Sequence, residues 1–185
     1  MGLNFYIYLF EKKQGDDIVK NSKNLLEGKR VLIVDDEPDI LDTLEELLGM
    51  CKIKKADNFH TAKEILQSQP LDIAILDIMG VDGYKLLEIA NDKKITAVML
   101  TAHALSVENT VQAYKKGAAF FIPKDKMTSI DTYLTDILEA KNEGKNTWRR
   151  WLKRFGSYYE GKFGKEWVSY DEFWKKALKD KTKEL

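Results

Sequence analysis

Three carboxylates, one hydroxyl and one ammonium group stand at or close to the ends of short apolar runs in this 185-residue chain. The residues that carry them are Asp35, Asp36, Asp77, Thr101 and Lys124. Neighbouring carboxylates repel one another, and a hard cation such as Mg²⁺ relieves that repulsion while it binds a substrate phosphate. A hydroxyl donor and a lysine charge suit phosphoryl oxygens. These groups predict phosphoryl-transfer chemistry, provided that the fold brings them together.

The apolar runs have the length of buried β-strands. They cover residues 31–34, 53–56, 73–76, 97–100 and 119–122, and the stretches between them repeat apolar residues at helical spacing. This alternation predicts an α/β fold whose parallel sheet is covered by helices on both faces. Such folds bind ligands beyond the carboxyl ends of the strands. We therefore expect the five polar side chains to share one crevice.

Two sequence patterns predict where helices begin. Thr61 with Glu64 three residues later forms a capping box, which predicts the start of the second helix. Thr128 and Asp131 predict the start of a fifth helix, whose apolar positions continue to Leu138.

The five residues and their placement resemble the receiver domain of two-component response regulators over residues 29–141. The resemblance implies a five-stranded, doubly wound, flavodoxin-like sheet in the order 2-1-3-4-5. It also implies that Asp77 is the phospho-acceptor, taking a phosphoryl group from a histidine kinase or phosphotransfer protein. Such a domain is a signalling protein that catalyses its own phosphorylation and slow dephosphorylation, and is not otherwise an enzyme.

The resemblance assigns roles to the other residues of the set. Mg²⁺ is expected on Asp35, Asp36, the Asp77 carboxylate and the Met79 carbonyl. Thr101 and Lys124 are expected to bind phosphoryl oxygens. Thr101 is also expected to act in a switch with the aromatic residue Phe121, which has no hydroxyl group to donate.

The sequence departs from the family pattern on both sides of the crevice. The loop after Asp77 is about two residues short, with Gly80 near the position of the family's proline. Asp125, not proline, follows Lys124. Met79 and His103 stand where residues tune hydrolysis of the phosphoryl group in this family, although His103 is also consistent with an exposed loop.

Each site assignment has a purely structural alternative. The acidic pair Asp35–Asp36 is also consistent with a complement to a helix dipole. Asp77 is consistent with a turn, Thr101 with a helix cap, and Lys124 with a solvated side chain.

The chain changes character after residue 141, and residues 142–185 hold 12 Lys and Arg against seven Asp and Glu. Residues 142–185 predict two amphipathic aromatic helices, the first interrupted at Gly161 and Gly164 and the second opened by Ser169 and Glu172. Three roles are open for this extension: packing on the receiver, binding a partner or a second copy, and binding nucleic acid. The last would make the chain a transcriptional regulator, and it depends on a basic group, Arg149, Arg150, Lys153 and Arg154. The heavily aromatic apolar side argues against nucleic acid as a partner.

Composition restricts the partners and the cellular location that we expect for the chain. Lys and Arg balance Asp and Glu at 30 each, so no overall charge favours nucleic acid or a membrane surface. The single cysteine, Cys51, fits a reducing cytoplasm. No apolar run reaches the roughly 20 residues of a membrane span. Residues 1–28 form a leader of uncertain structure, in which the apolar residues 3–10 are consistent with an extra strand. We expect a cytoplasmic protein that signals to a downstream protein, with a homodimer as one possible form.

Overall fold

The computed structural model describes residues 23–102, 106–165 and 167. Its centre is a five-stranded parallel sheet in the order β2-β1-β3-β4-β5, which confirms the predicted fold class and strand order. The strands are β1 (Arg30–Val34), β2 (Lys52–Ala56), β3 (Ile73–Asp77), β4 (Thr96–Thr101) and β5 (Phe120–Pro123). Four predicted runs lie inside these strands, and the fifth begins one residue before β5.

Six helices of nine residues or more surround the sheet in the described part of the chain. They are α1 (Pro38–Leu47), α2 (Phe59–Ser68), α3 (Gly83–Asp92), α4 (Val107–Lys115), α5 (Ile130–Asn142) and α6 (Thr147–Phe163). A single turn, Lys23–Leu26, precedes β1, and a 3₁₀ segment, Lys124–Ser129, joins β5 to α5. None of these described helices is both long and apolar enough to cross a bilayer.

The two edges of the sheet differ in their exposure. The β2 edge exposes Lys52, Lys54 and Lys55, and lysines on an edge strand oppose pairing with another chain. By contrast, every residue of β5 is buried. The difference arises because α6 covers the β5 edge.

Helix α6 packs against the free edge of β5. It donates hydrogen bonds to backbone carbonyls of β5 and of the residues just before this strand. The indole N–H of Trp148 donates to the Ala118 carbonyl at 2.7 Å, and that of Trp151 donates to the Phe121 carbonyl at 2.6 Å. Trp151 is fully buried. The first predicted helix of the extension therefore packs on the receiver, which is one of the three roles that the sequence left open.

Ion pairs hold the other side of α6 against α5. The Asp136 carboxylate of α5 is buried and accepts hydrogen bonds from Arg150 at 3.3 Å and from Arg154 at 2.6 Å. Arg150 also pairs with Glu139 and Glu143. Arg150 and Arg154, which were considered for nucleic acid, are thus engaged within the chain.

Three predicted helix boundaries were wrong. Helix α2 is capped by Asn58, whose side chain accepts the Thr61 N–H at 2.9 Å, so the helix begins before the Thr61–Glu64 pair. Helix α5 begins after Ser129, because the 3₁₀ segment takes up Thr128.

The third error concerns the extension. Helix α6 passes through Gly161 and ends at Gly164, because buried Tyr159 and packed Phe163 outweigh the roughly 1 kcal/mol that an interior glycine costs. The predicted strand at residues 3–10, the second helix of the extension and His103 lie outside the described residues.

Candidate phosphoryl-acceptor site

Three aspartates meet at the carboxyl edge of the sheet, as the strand-end argument predicts. Strands β1 and β3 are neighbours, and their register places the residues that follow Val34 and Leu76 side by side. One carboxylate oxygen each from Asp35, Asp36 and Asp77 lies within 4.8 Å of the others. Asp35 is fully buried, Asp77 is 4% exposed and Asp36 is exposed. The crevice therefore has two buried carboxylates and one open to solvent.

The Lys124 ammonium lies among these carboxylates. It is 2.8 Å from Asp35 Oδ2 and 3.6 Å from Asp77 Oδ1. A third acidic side chain, Glu37, lies 2.7 Å from the same ammonium. The sequence argument missed Glu37, although its place directly after the acidic pair was a visible signal.

Burial sets the protonation behaviour of the aspartates. Loss of solvent raises the pKa of Asp77 to about 6, with smaller contributions from the neighbouring Asp35 and Asp36 charges, while Lys124 acts in the opposite direction. Burial also raises the pKa of Asp35, and the hydrogen bond from Lys124 only partly offsets it. The cluster holds more negative charge than its lysine neutralises.

Burial and hydrogen bonding act in opposite directions on the pKa of Lys124. Burial works against its charged form, but hydrogen bonds to Asp35 and Glu37 outweigh that effect and raise the pKa of Lys124. The ammonium therefore stays charged at neutral pH.

A divalent cation fits this arrangement. Asp35 Oδ2 is buried and pairs with the Lys124 ammonium at 2.8 Å, and a carboxylate oxygen has a further lone pair beyond that contact. That oxygen retains the capacity to bind a cation. Oxygen ligands of this kind, with one carboxylate open to solvent, suit a hard ion that keeps some of its water.

Thr101 and Phe121 lie on the strands that complete the site. Thr101 ends β4, is 1% exposed and is in register with Pro123, which directly precedes Lys124. Phe121 is fully buried in β5 beside Met99. The structure thus places the predicted switch pair on adjacent strands, and its switching role stays a prediction.

The loop after Asp77 is short and closely packed. It comprises residues 78–82, and α3 begins at Gly83. A Cβ built on Gly83 would lie 1.9 Å from the Asp77 carbonyl oxygen, so this position admits no side chain. The Met79 side chain is 58% exposed, and its carbonyl accepts the Val81 N–H at 2.7 Å. A carbonyl has a second lone pair, so metal binding by Met79 stays a prediction.

Comparison with known proteins identifies the family. Residues 31–135 match the model of the response regulator receiver domain. The chain belongs to this family. Its receiver domain resembles the response regulator protein PilR of Pseudomonas aeruginosa, with 35% identity over 102 residues, which is 52% of this chain and 23% of that protein.

A plant relative agrees with this assignment. The two-component response regulator ARR18 of Arabidopsis thaliana is 37% identical over 103 residues, or 52% of this chain and 16% of that protein. The chain thus spans less than a quarter of the length of these two relatives.

Among solved structures, a CheY-like response regulator receiver domain protein of Methanospirillum hungatei aligns with a TM-score of 0.53 at 25% identity. The alignment covers 62% of this chain and 99% of that one. A response regulator of Burkholderia pseudomallei, crystallised with a phosphorylated aspartic acid, calcium ion and citrate, aligns with a TM-score of 0.53 at 22% identity. That alignment covers 63% of this chain and 72% of the other.

Proposed function

We propose that Asp77 accepts a phosphoryl group from a histidine kinase or phosphotransfer protein, with Mg²⁺ held by Asp35, Asp36 and Asp77. One observation carries the proposal. The Lys124 ammonium lies 3.6 Å from Asp77 within a cluster of three carboxylates whose oxygens come within 4.8 Å of one another. Two buried carboxylates beside one lysine form a site that lacks positive charge and can gain it from a cation.

Asp77, Lys124 and Thr101 have different roles in the transfer. An Asp77 oxygen attacks phosphorus as the bond to the donor breaks. Because its pKa is about 6, this carboxylate is mostly ionised at neutral pH and more basic than an ordinary aspartate. Lys124 is close enough to hold a phosphoryl oxygen of the product, and Thr101 supplies a hydroxyl from the next strand. Mg²⁺, when bound, neutralises charge on the phosphoryl oxygens and orients the group.

The neighbours support this proposal. The Burkholderia pseudomallei structure holds a phosphorylated aspartic acid and calcium, and the Arabidopsis thaliana relative is a two-component response regulator. A histidine kinase or phosphotransfer protein is therefore the proposed donor, and a downstream protein is the proposed target.

The output is proposed to be protein–protein contact. Helix α6 covers the β5 edge, so a homodimer through the surface formed by α4, β5 and α5 would first have to displace α6. Arg150 and Arg154 are paired with α5, which lowers the positive charge that the extension can offer a nucleic acid. No observation favours the transcriptional alternative.

Incubation with acetyl phosphate and Mg²⁺ tests the proposal. The expected result is a mass gain of one phosphoryl group that disappears on Asp77→Asn and on chelation of the metal. Asp82→Asn is the matched control, because Asp82 lies on the same loop, pairs with Lys85 and leaves the cluster intact. No gain in the wild-type chain, or an equal gain in Asp77→Asn, would refute the assignment.

A further inference from the structure

Lys124 differs from the aspartates of the site in how its backbone is held. Asp35 and Asp77 follow or end strands that have a neighbour on both sides. Lys124 follows β5, which has β4 as its one neighbour among the described strands. The lysine's segment therefore depends on whatever holds the other side of β5.

Helix α6 supplies that support ahead of Lys124. The Trp151 indole N–H donates to the carbonyl of Phe121, three residues before the lysine, at 2.6 Å. Thr147 at the start of α6 donates to the Ala119 carbonyl of the same edge at 2.8 Å. Because Trp151 is fully buried, its hydrogen bond to Phe121 is shielded from competing water.

Tyr158 supplies support beyond Lys124. Its hydroxyl lies 3.2 Å and 3.1 Å from the two carboxylate oxygens of Asp125, to which it donates. The Lys126 ammonium lies 4.9 Å from the centroid of the Tyr158 ring, within the range of a cation–π contact. One side chain of α6 thus contacts both residues that follow the lysine.

We propose that α6 positions Lys124 for the phosphoryl group, with Trp151 and Tyr158 as its positioning residues. The inference rests on the proposed function of Asp77. Anchors before and after Lys124 limit the motion of its backbone, so that less conformational entropy is lost when the ammonium engages a phosphoryl oxygen. The aromatic extension then contributes to phosphoryl binding by restraining the backbone on either side of Lys124, although it touches none of the reacting atoms.

Beryllofluoride with Mg²⁺ is a suitable probe, because it occupies the place of a phosphoryl group without a chemical step. Its affinity for the full chain can be measured by calorimetry, and that of Mg²⁺ alone can be measured separately. Tyr158→Phe removes one hydrogen-bond donor and keeps the ring, whereas Trp151→Phe removes the indole donor and replaces the indole by a smaller phenyl ring. We expect each to weaken beryllofluoride binding about three- to tenfold, the range of a single hydrogen bond. Mg²⁺ affinity should change less than about twofold, because the aspartates hold the ion.

Tyr159→Phe is the matched control. Tyr159 is the neighbouring residue on α6, and its hydroxyl bonds Thr110 of α4 at 2.6 Å and makes no contact with the Lys124 segment. We expect this variant to bind beryllofluoride as the wild type does. Urea unfolding of all three variants would verify that each is folded under the binding conditions.

Other outcomes would overturn the inference. Unchanged beryllofluoride affinity in both Tyr158→Phe and Trp151→Phe would show that α6 does not position the lysine. Equal losses of Mg²⁺ and beryllofluoride affinity, or an equal loss in Tyr159→Phe, would indicate general loosening. A wild-type chain that binds no beryllofluoride would refute the proposed function as well, whereas an active wild type with unaffected variants would refute only this inference.

Discussion

Gly80 lies directly against the Asp36 carboxylate. A Cβ built on Gly80 would be 2.4 Å from Asp36 Oδ1, and the glycine has a φ of +72°. The short loop after Asp77 is therefore packed onto the one exposed carboxylate of the cluster.

Replacing Gly80 by alanine should weaken metal binding. The added methyl group would push the Asp36 side chain out of the crevice, and we expect Mg²⁺ affinity to fall about tenfold, the lower end of the effect of losing a ligand's supporting contact. Calorimetric titration of Mg²⁺ measures this. Gly28→Ala is the control, because Gly28 has a similar φ of +70° but no atom within 4 Å of the added carbon. Equal Mg²⁺ affinity in the two variants would contradict the prediction.

Stability of the metal-free protein should depend on the ionisation of Asp77. Because burial raises its pKa from 3.8 to about 6, the favourable contribution of this group is full below pH 3.8 and is lost as the pH rises through about 6. Asp77→Asn removes that loss, so the variant should be more stable at pH 7 by roughly 2–3 kcal/mol, at 1.36 kcal/mol per pKa unit. Urea unfolding in a chelator at several pH values measures this, and identical pH profiles would contradict it.

Lys124 should hold the pKa of Asp77 below the value that burial alone would give it. The lysine charge lowers the pKa of Asp77, so Lys124→Gln should raise that pKa above about 6. Carboxyl carbon NMR over a pH titration of the metal-free protein would show the shift. Glu37→Gln is the companion variant, because Glu37 contacts Lys124 but is not among the main groups that shift the pKa of Asp77. A larger shift in Glu37→Gln than in Lys124→Gln would be inconsistent with this account.

Asp136 should anchor α6 energetically. Its buried carboxylate accepts hydrogen bonds from both Arg150 and Arg154, so Asp136→Ala leaves two guanidinium groups without that partner. We expect a loss of about 1.5–3 kcal/mol in the free energy of unfolding, the range for hydrogen bonds to charged groups. Glu143→Ala is the comparison, because Glu143 is 44% exposed in its pair with Arg150 and solvent screens such a pair, so the loss should be smaller. Denaturant unfolding followed by tryptophan fluorescence distinguishes them.

The sequence by itself determined the parallel α/β fold and the meeting of three aspartates. Buried strands that alternate with helices can form few other architectures, and their carboxyl ends share one edge of the sheet. The sequence alone therefore predicts that the residues following Val34 and Leu76 lie close together.

Only the tertiary structure decided which distant groups touch this site. The contacts of Lys124 with Glu37, of Gly80 with Asp36 and of Trp151 with Phe121 join residues from different elements, and local spacing does not show which partners meet. Helical periodicity showed that α6 has an aromatic face, but not that this face covers β5. The physical reason is that periodicity shows which side of a helix avoids water. Where that side packs depends on the shape and the hydrogen-bonding groups of the surface that it contacts.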